Sequence, residues 1–430
     1  MEEEAGDIVL HGEAEIMVKT LRHIPLNKIG SKEWKRQHEY LNKLNQQAQL
    51  NVHAQVSDYI SEAFAVTHEI KTLVKDLLAA ELWREKVVPI MIKTKDFAPK
   101  STIPFYLSMY NEAVILNLLE TISFNAEVIE TIGDLAVDLV DYCYRTLSLL
   151  YAQHQNGVKH DKPDGDQTPR DIYNNFITSM FLEYGPKCIT ILRYLSEAGK
   201  GIPLDAHTRI IRKLNVPQLL VALMEDGCGW IESDRFYISG KWHKKTDPLS
   251  PHETGILLLL RQLLTCEDFS SYEFHQQNIS ALMRVQKYLT PTVLQFCSPL
   301  NDLNTVLSQL QVSPPDQAKS YSLLIESEPE LRDEMIQEFK DAYPSLAKSA
   351  MTSWAKPSFE QTQRDAKELV KMWQIDRLEQ LMNEVPKCEV CGAESENRCS
   401  SCKTVWYCRR QCQIEHWAEH KKICDMLKQR

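Results

Sequence analysis

Apolar side chains recur at intervals of three and four through residues 33 to about 355, the spacing of one buried stripe on each of a series of helices. Ile70, Leu73, Val74, Leu77 and Leu78 form one stripe; Val128, Ile132, Leu135, Ala136, Leu139, Val140 and Cys143 form another. Breaks are expected where turn chemistry gathers: from His154 ("HQNGVKHDKPDGDQTP"), Gly199 ("GKGIP"), Lys244 ("KKTDPLSP") and Val312 ("VSPPDQ"). One stretch departs from the helical pattern. Gly229–Trp242, "GWIESDRFYISGKW", mixes β-branched and aromatic residues with turn formers and predicts a hairpin inserted between helices.

Successive helices with short connections predict a mainly α fold, either an α-solenoid of armadillo or HEAT type or an irregular helical body. "NVPQLLVALMED" from Asn215 has the proline start and paired leucines of an armadillo helix, and "KVVPIMIK" from Lys86 echoes it. No clean period runs through the chain, so the two architectures remain open. Residues 1–355 form the helical body in this reading. Residues 356–386 form a connecting helix, with Leu378, Leu381, Met382 and Val385 as its stripe and Pro386 as its stop. Residues 387–430 are a separate small domain.

Composition narrows the function. Fourteen glycines in 430 residues argue against glycine-rich nucleotide loops, and a net charge of −10 argues against a general nucleic-acid binder. The opening "MEEEAGD" lacks the basic-then-apolar pattern of a signal peptide. The most continuous aliphatic run, Ile256–Leu260, is broken by Arg261, so no membrane span is expected. No P-loop, H-E-x-x-H or G-x-S-x-G motif occurs, and the expectation is a protein that is not an enzyme.

Cysteine changes the picture most. Seven of the 12 lie in the last 43 residues: Cys388, Cys391, Cys399, Cys402, Cys408, Cys412 and Cys424. His416 and His420 accompany them, nine candidate ligands where two tetrahedral zinc sites need eight. The segment "CEVCGAESENRCSSC" has almost no apolar residues, and bound metal would replace the missing core. If 411–424 is helical, Cys412 and His420 stand about 12 Å apart along the axis and cannot share an ion. The pairing is therefore expected to interleave. Cys388, Cys391, Cys408 and Cys412 take the first zinc, and Cys399, Cys402, His420 and Cys424 take the second. His420 lies one turn from Cys424 and His416 two turns, which leaves His416 over.

With eight ligands at this spacing, and with Tyr407-Cys408, Cys412-Gln413 and His416-Trp417 beside them, the segment 388–424 resembles the MYND-type zinc finger. That resemblance implies two interleaved zinc ions and a protein-binding module, in some members for short proline-rich peptides. The positions matching the peptide groove are Ser400, Gln413 and Trp417. An indole offers proline a flat face, and an amide and a hydroxyl can serve an extended backbone. In so small a domain, Trp417 can equally be core.

The helical body, the single C-terminal finger and the opening "GDIVLHGEAEIMVKTLRHIPLNKIGSKEWKRQHEYLNKLN" make the whole chain resemble a family of MYND-finger proteins that assist dynein arm assembly. The resemblance implies a cytoplasmic adaptor, with the centrosome and basal-body region as a secondary location, that works with co-chaperones and axonemal dynein subunits in building motile cilia. Two alternatives are carried. A nuclear co-repressor would use the finger to recruit transcriptional partners, but no basic import stretch is found. In a SET-type lysine methyltransferase, catalytic motifs should follow the finger, whereas six residues follow Cys424.

Overall fold

A computed structural model of the protein describes residues 8–94, 103–156, 169–232, 234–238, 240–266, 272, 274–312, 328–355, 388, 390–391, 393, 395, 397–399 and 405–427. The chain divides into two compact units, Met1–Gln363 and Arg364–Arg430. The connecting helix expected over 356–386 lies outside the described residues.

The first unit is helical. It opens with α1 (His11–Thr20), α2 (Lys32–Ala54), α3 (Tyr59–Thr67) and α4 (Ile70–Leu82); a π-helical turn, Trp83–Val87, then leads into α5 (Val88–Lys93). Ser31 caps α2 by accepting from Trp34 N–H at 3.1 Å. The stripe Ile70, Leu73, Val74, Leu77 and Leu78 is buried, as its spacing predicts. Next come α6 (Ile103–Ile122), α7 (Ala126–Glu130), α8 (Leu135–Gln155) and α9 (Pro169–Glu197). The stripe from Val128 to Cys143 is shared between α7 and α8, because Gly133 takes a left-handed φ of 60° and turns the chain between them.

Helix α9 packs against α6, α8 and α12 (Pro251–Thr265) and is the central element. It carries Pro186 in its interior, which supplies no N–H to the carbonyl of Leu182 one turn back. That carbonyl accepts instead from the buried Trp230 indole at 3.0 Å. Neighbouring Gly185 makes the approach possible, since a methyl there would collide with the Trp230 ring.

Beyond α10 (Leu204–Thr208) and α11 (Val216–Asp226), Trp230 lies at the start of the segment expected to be a hairpin, Gly229–Trp242. The structure corrects this to three antiparallel strands, β1 (Ile231–Glu232), β2 (Arg235–Ile238) and β3 (Lys241–Lys244). The chain reverses once more than expected between β1 and β2, and β1 is too short to leave a periodic signal. Gly240, at φ 75°, turns β2 into β3 and donates its N–H to Glu183 Oε1 at 2.8 Å.

The unit ends with α13 (Gln276–Met283), α14 (Pro291–Phe296), α15 (Leu300–Val312), α16 (Leu331–Phe339) and α17 (Tyr343–Ala355). Helix α16 returns to α4, and α17 to α5 and the π turn. Arg332 of α16 reaches Glu85 at 2.6 Å and Glu81 at 3.3 Å, and Glu81 also takes the Arg145 fork at 2.7 Å. Repeats in a solenoid touch only their neighbours. These contacts, about 250 residues apart in sequence, make the body an irregular helical array. Its deepest ion pair is Arg84–Glu112 at 2.7 Å, with Tyr142 donating to Glu112 Oε1 at 2.9 Å. Burial opposes the Arg84 charge, but the adjoining carboxylate more than compensates and keeps the guanidinium protonated. No helix among the described residues is long and apolar enough to cross a membrane.

Candidate metal centre and finger surface

Among the described residues, the interior of the second unit is built mostly from cysteines. Its buried cluster is Cys388, Cys399, Tyr407, Cys412 and Cys424, with Val405 and Cys408 packed against it. Two strands, β4 (Asn397–Arg398) and β5 (Trp406–Tyr407), pair antiparallel and lead into α18 (Arg410–Leu427). Cys399 N–H donates to Val405 C=O at 2.8 Å, and Cys388 N–H to Ala393 C=O at 2.7 Å, closing the two turns that carry thiols.

The thiols assemble into two groups. Cys388, Cys391, Cys408 and Cys412 form one, and Cys399, His420 and Cys424 the other, with ligand atoms in each within 4.8 Å of one another. In the first group, Cys391 and Cys408 sulfurs lie 3.3 Å apart, Cys408 and Cys412 3.7 Å, and Cys391 and Cys412 4.0 Å. Tetrahedral zinc with Zn–S bonds near 2.3 Å separates its sulfurs by about 3.8 Å. Cys399 and Cys424 match at 3.8 Å. Cys402, expected as the fourth ligand of the second site, lies outside the described residues.

The chemistry of the donors fits the ion. Desolvation opposes ionisation at Cys388, yet backbone N–H groups of Cys408, Cys391 and Val390 pull its thiol down to about 6. A hydrogen bond with the neighbouring Cys391 thiol, then desolvation, pushes Cys408 up to about 12, so that a bound cation is what would hold it as thiolate. Arg409 stands beside the Cys412 sulfur and adds positive charge there. The two groups are consistent with two zinc sites.

Helix α18 sets the roles of its two histidines. His420 is buried with Cys424 one turn on. His416 lies outside both groups, its Nδ1 3.1 Å from the Tyr407 hydroxyl and its ring stacked on His420 at 5.6 Å. Tyr407 also meets His420 edge-on at 6.2 Å, so one buried phenol supports both imidazoles. The "YC" dipeptide carried that signal, but the spacing of ligands said nothing of its role.

Of the expected groove residues, Ser400 lies outside the described residues. Gln413 is half-buried, and Trp417 is 39% exposed with one edge against His420. Ile414, one turn before Trp417, is 59% exposed and went unnoticed in the sequence. Polar neighbours on both sides give no helical stripe to mark it.

Residues 388–424 match the family model of the MYND finger. The chain is 23% identical over 442 aligned residues to the zinc finger MYND domain-containing protein 10 homolog of Drosophila melanogaster, covering 95% of this chain and 97% of that one. Short similarities also occur to ubiquitin C-terminal hydrolase 15 of Oryza sativa subsp. japonica, 45% over 43 residues, and to ubiquitin carboxyl-terminal hydrolase 17 of Arabidopsis thaliana, 46% over 44. Each covers 10% of this chain and only 4% and 6% of those proteins, respectively. No solved structure matches the chain. Its C-terminal segment is a MYND finger, a protein-interaction module, carried by a helical chain similar along nearly its whole length to a MYND-domain protein.

Proposed function

We propose that the protein is a non-enzymatic cytoplasmic adaptor. The finger binds a short extended or proline-rich segment of one partner, and the helical body engages a client or co-chaperone. The observation that carries this reading is Trp417, a large aromatic held exposed on α18 where the buried His420 and Cys424 fix the helix to the metal site. A rigid aromatic of this kind is a typical anchor for a peptide.

The finer reading is preassembly of axonemal dynein arms with co-chaperones and dynein subunits. It is supported by the resemblance of the chain's opening and domain order to that family, and by the long similarity to the MYND-domain homologue. Affinity purification from ciliating cells, comparing the intact chain with one lacking 387–430, tests both levels. Loss of co-chaperones with retention of dynein subunits would assign the co-chaperone to the finger and the client to the body. Recovery of neither from the intact chain would overturn the assembly role.

A further inference from the structure

The β-meander of the helical body ends in an edge strand, β3, whose Lys241, His243 and Lys244 are exposed. Its strand order is β1–β2–β3, so among the described residues β3 has a strand neighbour on one side only. Lys245 N–H donates to Asp234 C=O at 2.6 Å. Alternation along an antiparallel pair then places Phe236/His243 and Ile238/Lys241 in hydrogen-bonded positions. The N–H and C=O of Trp242 and Lys244 are thereby directed away from β2. An edge of this kind is a template for one more strand.

Charge selects what can pair there. From Arg235 to Thr246 the sequence holds Arg235, Lys241, Lys244 and Lys245 and no carboxylate, in a chain whose net charge is −10. Arg235, Lys241, His243 and Lys244 are exposed, and Lys245 forms an ion pair with Glu253 at 2.7 Å. Side chains alternate along β3, so Lys241 and His243 share one face and Trp242 and Lys244 the other. A second copy of β3 would set lysines against lysines, which is unfavourable. A strand bearing carboxylates would be complementary on both faces.

The edge is also held rigid. The Arg235 guanidinium lies 5.6 Å over the Trp242 ring, and Tyr237 meets that ring edge-on at 5.5 Å. Trp230 and Gly240 tie the meander to α9. Little ordering remains to be done when a ligand strand arrives.

We propose that β3 is a docking edge for an extended acidic segment of a protein partner, which adds as a fourth strand beside Trp242 and Lys244. The alternating N–H and C=O groups recognise a peptide backbone, which a phosphate chain cannot match. This site is separate from the finger and does not depend on the finger's role.

The test uses the full chain and a fluorescent synthetic peptide of alternating Glu and Thr, with binding read by anisotropy. Binding should weaken with added salt and fall about tenfold in the double variant Lys241→Glu/Lys244→Glu. Lys244→Pro removes an outward N–H without touching the ladder to β2, and should weaken binding similarly. Trp417→Ala should leave it unchanged. Thermal melts establish that each variant is folded. The decisive control leaves the protein untouched: the same peptide N-methylated through its central residues should lose binding. Equal binding of the N-methylated peptide would overturn the proposal, as would no binding of the parent peptide at about 1 mM. So would a concentration-dependent dimer that Lys244→Pro abolishes, since the edge would then serve a second copy.

Discussion

The indole N–H of Trp230 stands in for the backbone N–H that Pro186 cannot offer to the carbonyl of Leu182, across 48 residues of chain. A buried carbonyl left without a donor costs about 1–3 kcal/mol. Trp230→Phe should therefore destabilise the body by at least that much in denaturant melts. In a Pro186→Ala background the helix supplies its own donor, and the same substitution should cost less by about 1 kcal/mol. Equal costs in both backgrounds would reduce Trp230 to a packing residue.

The finger's two histidines should separate cleanly. His416→Ala removes only the contact with Tyr407 and a ring stack, and native mass spectrometry should still find two zinc ions. His420→Ala should leave one at most, since His420 sits with Cys399 and Cys424. The opposite result would reverse the assignment.

Trp417→Ala should keep both zinc ions and lose the finger's partner. An exposed aromatic anchor carries about 2 kcal/mol or more, roughly a 30-fold change in Kd. Zinc content and affinity should be measured on the same samples. Loss of zinc would mean the indole belongs to the interior.

Acid should weaken the body through His38. Burial lowers its pKa from 6.5 to about 4, and its bonds agree with a neutral ring. Nδ1 donates to Asn111 Oδ1 at 2.7 Å, and Nε2 accepts from Asn42 at 3.0 Å, a donor that a second ring proton would meet head-on. The unfolded chain thus takes up a proton at a higher pH than the folded one. Stability from this group is complete above pH 6.5 and is lost as pH falls toward 4, by about 3 kcal/mol in total. Urea midpoints of the wild type should fall more steeply over that window than those of His38→Gln. Acid release of zinc is common to both chains and cancels in the difference.

A chain ending at Ala355 should be helical and melt cooperatively. Among the described residues, the body's buried cluster runs from Val9 to Ala350. An aggregated product would contradict this.

What the sequence revealed follows from which forces are local. The stripe from Ile70 to Leu78 was legible because burial recurs with the helical period. The grouping of Cys412 with the first thiols, and of His420 with Cys424, was legible because helical rise alone separates them. The turn at Gly133 was hidden, since apolar spacing runs unbroken through it. Arg84 and Glu112 show only as charges within apolar runs. Nothing local says that they meet across 28 residues, or that Arg332 returns to Glu81. The third strand of the meander was missed because two residues cannot display a period.

The interleaving of the finger's ligands has a further consequence. Cys399 lies inside the loop closed by the first group, and Cys408 and Cys412 lie inside the loop between Cys399 and His420. Each ion thus ties down the segment that holds the other's ligands, and the first to bind removes much of the chain entropy that the second would have to overcome. Zinc uptake is therefore expected to be cooperative, which native mass spectrometry during a zinc titration would show as scarce one-zinc species. The helix that displays Trp417 is then expected to be fixed only when both sites are filled, so that the exposed indole and the metal content of the finger rise together.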